Sequence, residues 1–370
     1  MRLDRALDGA ARPATAPDVA ARLSFFEFWP GWLFYAPVVA WWVLLGLRYR
    51  DPSLPTAANP TFETGGLCGE SKRQILDQAG PLARGSIAPY ASMVTDPADP
   101  AADMAEAERA MAGAGIGYPV VVKPDVGCNG TGVRLAQGPE DLARYFGAFP
   151  RGLGVMLQAF VPHVGEAGLF YVRLPGEARG RITSVTLKHQ PCVTGDGRSD
   201  LRSLILADAR AGRVSHLYLP RLERVLATVP RAGERVPLVF AGNHCTGSIF
   251  EDGAGELTPA LAERVDAIAR DVPEFHFGRI DVRYRSLAAL RRGEEFTIIE
   301  INGAGSEPTH IWDPRTRLLD AWRTEFWHYG AAFRIGAANR ARGLRPCGLR
   351  EMGRMWRFQR RVLAAYPQND

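Results

Sequence analysis

One run of the sequence, Tyr118–Val133, places a single lysine between an apolar segment and a glycine-rich loop. The segment PVVV near its start is short and apolar, which is typical of a buried strand. Lys123 follows at once, and the loop after it carries Gly127, Gly130 and Gly132. Bare backbone N–H groups in such a loop can approach phosphate oxygens, and a nearby lysine supplies a point charge. The spacing matches neither the P-loop nor the dinucleotide-binding fingerprint, and an ordinary hairpin turn fits this run alone equally well.

A second run, Phe277–His310, contains the segments FGRIDVRY and FTIIEINGAGSEPTH on either side of a charged turn. Both segments have strand character, so a β-hairpin is predicted. Asp281 lies on the first strand, and Glu300 and Asn302 lie two apart on the second, where they share a face. Two carboxylates and an amide are ligands that suit Mg²⁺. Three solvated polar residues are the alternative, but an unpartnered carboxylate is costly among the apolar neighbours of Glu300, so a metal site is favoured.

These two runs together resemble the ATP-grasp enzymes, and most of all the D-alanine–D-alanine ligases among the carboxylate–amine ligases. The likeness rests on the GRIDV run at 278–282 and on the Glu-x-Asn pattern at 300–302, and it covers roughly residues 70–313. The resemblance implies an α+β ATP-grasp fold, in which two α/β subdomains clasp ATP with one or two Mg²⁺ or Mn²⁺ ions. It implies that the glycine loop covers the phosphates, that the acidic residues and Asn302 bind metal, and that Arg279 stabilises the transition state.

The same resemblance implies two further phosphate ligands. Lys72 stands in the first turn of a helix that Ser71 is predicted to cap, at a place where the ligases have a lysine that reaches the phosphates. An exposed helix lysine is the alternative. Lys188 is presented by a strand predicted at 181–186 and is the other candidate.

The predicted strand at Val155 corresponds to the hinge between the two ATP-grasp subdomains. The resemblance places the backbone from Gln158 to Val161 at the adenine, and Glu166, in the loop beyond, at the ribose. Gln158 stands where the family usually has glutamate, and the interval to Glu166 is slightly longer than usual.

Three residues after the metal strand are expected at the substrates: Gly305, Glu307 and His310. Backbone groups near Gly305 would stabilise an oxyanion, and the other two would orient the amine. His310 has a counterpart in the ligases and Glu307 has none, so a different acceptor is expected. The ligases also carry a whole substrate domain ahead of the position of Lys72, where this chain has a hydrophobic segment and a short linker.

Composition sets the outer limits of these predictions. The 370 residues suffice for about two or three domains. The five cysteines include no C-x-x-C pair, which favours a reducing compartment over a disulfide framework or a zinc site. Cys128, inside the glycine loop, is interpreted as a tolerated small residue, and His244 as part of a polar turn.

The segment Phe25–Leu47 is almost wholly apolar and is rich in tryptophan. Its uncharged part is at the lower edge of a spanning length, Pro30 and Pro37 would interrupt a helix, and its aromatic residues resemble an interfacial belt. We expect an anchor that lies on, or re-enters, the cytoplasmic face of a membrane. A single span and a buried hairpin covering the enzyme are the alternatives. A cleaved signal peptide is disfavoured, because export would separate the enzyme from ATP.

The C-terminal part is basic, since nine arginines and two acidic residues give it a charge of +7 from residue 331 onward. The arginines at 350, 354, 357 and 361 recur at helical spacing. Four apolar residues are predicted to lie opposite them: Leu349, Met352, Trp356 and Leu363. Such a helix is typical of membrane-surface binding, and a surface helix packed on the core is an equal alternative. No motif supports nucleic-acid binding.

The predicted organisation has five parts: an aromatic anchor at 1–50, a short linker at 51–112, an ATP-grasp subdomain with the glycine loop at 113–190, a second with the metal site at 191–330, and a basic tail at 331–370. The predicted function is ATP-dependent ligation of a small-molecule carboxylate to an amine through an acyl phosphate. Arg279, Lys123 and Lys188 are the catalytic candidates. The expected location is cytoplasmic, at the inner membrane face. A phosphotransferase or non-amide ligase and a silent nucleotide-binding scaffold are the alternatives, and the oligomeric state is open.

Overall fold

The computed structural model describes residues 23–239 and 247–367, so His244 lies outside the described residues. The strands, in chain order, are β1 (Tyr90–Val94), β2 (Val120–Pro124), β3 (Arg134–Ala136), β4 (Gly154–Ala159), β5 (Gly165–Val172), β6 (Arg181–His189), β7 (Cys192–Thr194), β8 (Arg235–Pro237), β9 (Ile249–Asp252), β10 (Phe277–Tyr284) and β11 (Phe296–Asn302). The helices are α1 (Gly31–Tyr49), α2 (Lys72–Asp77), α3 (Pro81–Arg84), α4 (Pro100–Gly113), α5 (Pro139–Ala148), α6 (Leu201–Ala207), α7 (Ser215–Tyr218), α8 (Pro259–Arg270), α9 (Leu287–Arg291), α10 (Leu318–Ala341) and α11 (Gly348–Ala365).

Four antiparallel strands form the first sheet, in the order β1-β4-β2-β3. The predicted apolar strand is confirmed, and β2 extends far enough to include Lys123. Helices α4 and α5 pack on this sheet and share its hydrophobic core. Each begins with a proline. The first N–H groups of a helix have no acceptor within the helix, so a proline at this position costs no hydrogen bond. The edge strand β1 comes from the part of the chain between 51 and 112.

Five antiparallel strands form the second sheet, in the order β11-β10-β5-β6-β9. The predicted hairpin is confirmed, with β10 paired antiparallel to β11. The register shifts beyond Asp281, which leaves Ile299 as a bulged residue of β11. Glu166 lies on β5 and not in the predicted loop, because the chain returns to the sheet at Gly165 and pairs there with both β6 and β10.

A smaller unit follows β6 and has its own hydrophobic core, built from β7, β8, α6 and α7. The Asp200 side chain caps α6 by accepting a hydrogen bond from Ser203 N at 2.8 Å. A buried ion pair between Glu27 and Arg210 ties this unit to the N-terminal segment, with side chains only 1% and 5% exposed. Phe28 packs against the same core.

Helix α1 is continuous over 19 residues and packs along α10. The Trp41 indole donates to Phe326 O at 2.9 Å, and the Trp322 indole donates to Phe34 O at 3.0 Å. Pro37 lies inside the helix, so the prediction that it interrupts the segment is wrong. The contacts with α10 offset the hydrogen bond that the proline cannot donate.

The opposite side of α1 forms an exposed apolar stripe. Its large exposed residues are Trp32, Leu33, Val39, Val43, Leu44 and Leu47. Among the residues that the structure describes, α1 is the one helix that is long and apolar enough to cross a membrane, a test that a helix packed on a soluble core also passes.

Helix α11 packs on the core of the first sheet through Val362, and its other buried residue, Met355, lies against Gly69. Two of the four residues predicted for its apolar side lie elsewhere, since Leu349 is 55% and Trp356 is 51% exposed. The buried stripe passes through positions 355, 358 and 362, and its spacing of three and four residues is that of one helix face. Trp356 instead carries the Arg360 guanidinium over its ring at 4.9 Å.

Candidate nucleotide and metal site

Four polar side chains form a two-by-two array on one face of the β10–β11 hairpin. Arg279 pairs across the strands with Asn302, and Asp281 pairs with Glu300. Residues two apart on a strand share a face, so the three predicted metal ligands and Arg279 point the same way. Within the described residues, no group of three or more His, Cys, Asp or Glu side chains could hold a metal ion. The predicted metal site accordingly has two carboxylates, those of Asp281 and Glu300, and its third oxygen donor is the amide of Asn302.

Asp281 is the centre of this array and is 2% exposed. Arg279 donates to its two carboxylate oxygens at 2.8 and 3.0 Å, and Lys188 Nζ donates at 2.9 Å. Asn302 Nδ2 donates at 3.1 Å. Burial raises the pKa of Asp281, but the charges of Arg279 and Lys188 outweigh it and hold the pKa at about 2. The carboxylate is therefore ionised and ready for a divalent cation.

Glu300 faces two lysines. Lys72 Nζ lies 3.5 Å from Glu300 Oε1 and donates to Gly127 O at 2.7 Å. Burial opposes ionisation of Glu300, but the charges of Lys72 and Lys123 lower its pKa. Lys72 therefore lies between the glycine loop and the carboxylate, not on the exposed side of its helix, and the predicted cap of that helix by Ser71 is confirmed.

The side chain of Lys123, on β2 of the first sheet, reaches β11 of the second sheet. Its Nζ donates to Gln158 Oε1 at 2.9 Å and to Ile299 O at 3.0 Å. Ile299 is the bulged residue, so its carbonyl is outside the β10 ladder. Burial lowers the pKa of Lys123 to about 8, and the neighbouring Glu300 counters this only in part. The two distant sequence runs thus meet at this side chain.

The glycine loop has a backbone that side chains would disturb. Gly130 and Gly132 have φ angles of 68° and 73°, in the left-handed region. A Cβ at Gly132 would lie 2.7 Å from Pro124 Cγ. The C-terminal helix supports the loop from outside, because the Tyr366 hydroxyl beyond α11 donates to Val126 O at 2.7 Å.

The predicted adenine and ribose residues line the same cavity as the lysines. Arg283 NH1 donates to Val161 O at 2.9 Å, and its Nε lies 3.9 Å from the Glu166 carboxylate. Lys188 Nζ lies 3.4 Å from the other oxygen of Glu166. Gln158 Nε2 is buried and has no hydrogen-bond partner within the described residues.

The predicted substrate residues fall into two groups. Gly305 lines the cavity, but its N–H donates to Gly66 O at 2.7 Å and is thus already engaged. His310 is not among the residues that line the cavity. It lies in the short 3₁₀ helix Thr309–Trp312, where burial lowers the pKa of its imidazole.

Glu307 lines the cavity and is held from two sides. Its carboxylate accepts hydrogen bonds from the Tyr35 hydroxyl and, at 3.0 Å, from the Trp312 indole. Its main-chain carbonyl accepts from Arg279 NH1 at 3.0 Å. Glu307 is thereby coupled both to the metal array and to the N-terminal segment.

A cavity of about 710 Å³ joins these parts. Its wall includes residues that the sequence predictions missed: Glu27, Phe28, Trp29, Phe34, Tyr35 and Glu70. The first five lie in the apolar segment ahead of Lys72, which was interpreted as a membrane anchor. The apolar pattern of that segment hid its role, because membrane anchors and buried walls share it.

The residues present fit a magnesium nucleotide. Lys72, Lys123 and Lys188 bring positive charge to one cavity, and the orphaned Gln158 amide N–H can donate to an anion. The glycine loop offers backbone close to the same place. Mg²⁺ favours a few carboxylates completed by phosphate oxygens and water, which is the donor set of the hairpin face.

The glycine loop of the first sheet and the carboxylate hairpin of the second open into the same cavity, as the resemblance to ATP-grasp enzymes predicted. The sequence family described as "carbamoyl-phosphate synthase L chain, ATP binding domain" matches residues 86–150. This range runs from just before β1 to the end of α5 and contains Lys123 with its glycine loop. The resemblance to ATP-grasp proteins is thereby confirmed. No curated protein sequence matches the chain.

Similar solved structures include three that are named as synthetases or ligases. VanG D-Ala:D-Ser ligase from Enterococcus faecalis is 12% identical, with a TM-score of 0.40, covering 76% of this chain and 63% of that one. D-alanine–D-alanine ligase from Bacillus anthracis is 14% identical, with a TM-score of 0.40, covering 76% and 70%. A bifunctional glutathione synthetase from Pasteurella multocida is 17% identical, with a TM-score of 0.36, covering 69% of this chain and 35% of that one. The chain thus spans between 35% and 70% of their lengths.

Proposed function

We propose that this protein is an ATP-dependent ligase that joins a small-molecule carboxylate to an amine. The observation that carries the proposal is the meeting of Lys123 with the hairpin face, where its Nζ lies 3.0 Å from Ile299 O beside Glu300. The glycine loop and the oxygen donors of the hairpin thus line one cavity, which supports the proposal. The match to an ATP-binding domain supports the same class.

In the proposed first step, a carboxylate oxygen of the acid attacks the γ-phosphorus of ATP in line. The bond to the bridging oxygen breaks, and ADP and an acyl phosphate result. Lys123 and Lys188 counter the charge that develops on the transferred group. Mg²⁺, held by Asp281, Glu300 and Asn302, would neutralise the phosphate oxygens when bound.

In the proposed second step, the nitrogen of the free amine bonds to the acyl carbon, the bond from that carbon to the phosphate oxygen breaks, and the proton that the nitrogen loses leaves with the phosphate. Arg279 is placed to stabilise the intermediate oxyanion, because a guanidinium has five N–H donors and three of its nitrogens each donate one here. The remaining donors can meet the oxyanion without breaking those bonds. The engaged Gly305 N–H leaves this task to Arg279.

Purified protein tests the proposal when Mg·ATP, a panel of carboxylic acids and hydroxylamine are supplied together. Hydroxylamine is a small nucleophile that traps an acyl phosphate as a hydroxamate. We expect ADP and hydroxamate with at least one acid, and at least a hundredfold loss in Glu300→Gln by analogy with removal of other electrostatic groups. Glu263→Gln, on the outer side of α8 with a side chain 69% exposed, is the matched control.

Two outcomes favour the alternatives. ADP formation with a stable phosphorylated product and no hydroxamate would indicate a phosphotransferase. Binding of Mg·ATP without ADP formation would indicate a scaffold. Lack of Mg·ATP binding at millimolar concentration would contradict the proposed nucleotide site itself.

We also propose that the protein works at the cytoplasmic face of a membrane. The exposed apolar stripe of α1 supports this, together with Arg48 and Arg50 at its end and the exposed arginines of α11. Sedimentation with anionic vesicles tests it. We expect Leu44→Glu to weaken binding and Leu206→Glu, at an equally exposed apolar residue of α6, to leave it unchanged; equal binding of the two variants would contradict the proposal.

A further inference from the structure

The cavity has a second end, beyond Arg279, which the N-terminal segment closes. Its wall is largely aromatic, formed by Phe28, Trp29, Phe34, Tyr35, Phe250 and Trp312. Phe34 packs against Trp312 with ring centroids 4.8 Å apart and the ring planes tilted by 43°. The Glu27–Arg210 ion pair fixes the start of this wall to the small unit. The wall is therefore part of the folded core and not a loose tether.

A chain of contacts orders the cavity from one end to the other. Tyr35 bonds to Glu307, whose carbonyl meets Arg279. Arg279 bonds to Asp281, which meets Lys188, and Lys188 leads to Glu166 at the nucleotide hinge. The aromatic end is thus separated from the hinge by the metal array. A second substrate at that end would lie on the aromatic side of Arg279.

Glu307 is the charged group of this end. The hydrogen bonds to its carboxylate come from two neutral donors, Tyr35 and Trp312, and no ion pair to it occurs among residues 23–239 and 247–367. A carboxylate has about four lone-pair sites, so two donors leave room for more. An ammonium group is the ligand that the Glu307 carboxylate favours, because it can donate hydrogen bonds to the remaining lone pairs and also carries the opposite charge.

Among the described lining residues, the cation nearest to this end is Arg279, and its guanidinium is already paired with the Asp281 carboxylate. The lysines and arginines among the described lining residues are Lys72, Lys123, Lys188, Arg279 and Arg283. All five lie at the metal array or on its nucleotide side. An amino acid would bring a carboxylate next to Glu307 and the aromatic wall, where it would lose hydration without gaining a cation.

We propose that this end is the acceptor site of the ligase proposed above, and that it takes a primary amine on an apolar or aromatic body with no carboxylate beside the amine. The ammonium group binds the Glu307 carboxylate. The body packs on Trp29 and Phe28, and aromatic faces so placed also favour a nearby cation. The proposal rests on the ligase function and adds the class of its second substrate.

The test compares two acceptors that differ in one group, phenethylamine and phenylalanine, with an acid that gives hydroxamate. We expect amide formation with phenethylamine to be at least about tenfold faster than with phenylalanine. In Glu307→Gln, the ratio of phenethylamine to hydroxylamine rates should fall by about ten- to a hundredfold, which is the range for losing a charged hydrogen bond. Trp29→Ala should lower the same ratio, and Glu263→Gln should not change it.

The outcomes separate this proposal from the ligase function. Hydroxamate formation with equal use of the two acceptors, or with a wild-type ratio in both Glu307→Gln and Trp29→Ala, would overturn the acceptor site while the ligase stands. Failure to form hydroxamate with any acid would contradict the proposed ligase function, and with it the proposed acceptor site. Thermal melting shows whether each variant is folded, and Trp29→Ala, at a half-buried residue, serves where Glu307→Gln does not fold.

Discussion

Lys123 is a buried ammonium group whose two acceptors, Gln158 Oε1 and Ile299 O, are both neutral. Burial lowers its pKa to about 8, so the side chain loses its charge as the pH rises through that value. We expect the KM for ATP to increase several-fold from pH 7 to pH 9. Gln158→Glu should flatten this profile, because a carboxylate beside the ammonium raises its pKa. Steady-state kinetics across this range measure both, and a flat wild-type profile would contradict the expectation.

The carboxyl group of Glu325 is buried without hydrogen-bond partners among the described residues, which lowers the stability of the fold. It is 0% exposed, and neither oxygen has a hydrogen-bond partner among the described residues. Burial first, and the nearby Glu307 second, raise its pKa well above the ordinary 4.5. The folded protein therefore keeps the proton that the unfolded chain releases above pH 4.5, and stability falls as the pH rises beyond that value.

Replacing this carboxyl group by an amide should therefore stabilise the protein. We expect Glu325→Gln to raise the Tm by a few degrees at pH 7, and the gain to shrink towards pH 4.5, where about half of the unfolded chains keep the proton as well. Thermal melts of both proteins over this range check the sign. A gain that is the same at both ends would show that ionisation of Glu325 is not its cause.

At the scale of single elements, the glycine loop has a shape that Gly132 permits. Its φ of 73° and the 2.7 Å approach of a Cβ to Pro124 both oppose alanine. We expect Gly132→Ala to raise the KM for ATP about tenfold or more, since strain of about 1–3 kcal/mol must be relieved by moving the loop. Gly147→Ala, inside α5 with nothing within 4 Å of its Cβ, is the control and should be neutral or slightly stabilising. Equal ATP kinetics in the two variants would argue against a rigid loop.

Elements with a local sequence signal were predicted well. The β10–β11 hairpin follows from alternation along Phe296–Asn302, and the cap of α2 follows from Ser71. The errors concern choices that local pattern does not determine. Helix α11 turns Met355 inward and not Trp356, because the positions of Gly69 and of the first sheet decide which of two adjacent stripes is buried.

At the scale of the whole molecule, the N-terminal segment connects three regions. Its helix packs on α10, its aromatic residues line the cavity, and Glu27 pairs with Arg210 of the small unit. The composition of this segment suits a membrane surface and a buried wall equally, so sequence alone leaves them open. The structure gives it both kinds of surface, a buried side towards the cavity and α10 and an exposed apolar side.

The Glu27–Arg210 pair predicts how tightly that segment is held. Removing one partner of a buried ion pair leaves an uncompensated charge and costs about 3–5 kcal/mol, whereas replacing both by apolar residues is often neutral or stabilising. We therefore expect Glu27→Ala to lower the Tm strongly and the double change Glu27→Leu with Arg210→Met to restore it. Because Glu27 precedes Phe28 and Trp29 of the acceptor wall, the single variant should also raise the KM for the amine more than the KM for ATP. Melting curves and two-substrate kinetics test this together, and a Glu27→Ala protein as stable as wild type would mean that the segment is held by its aromatic contacts alone.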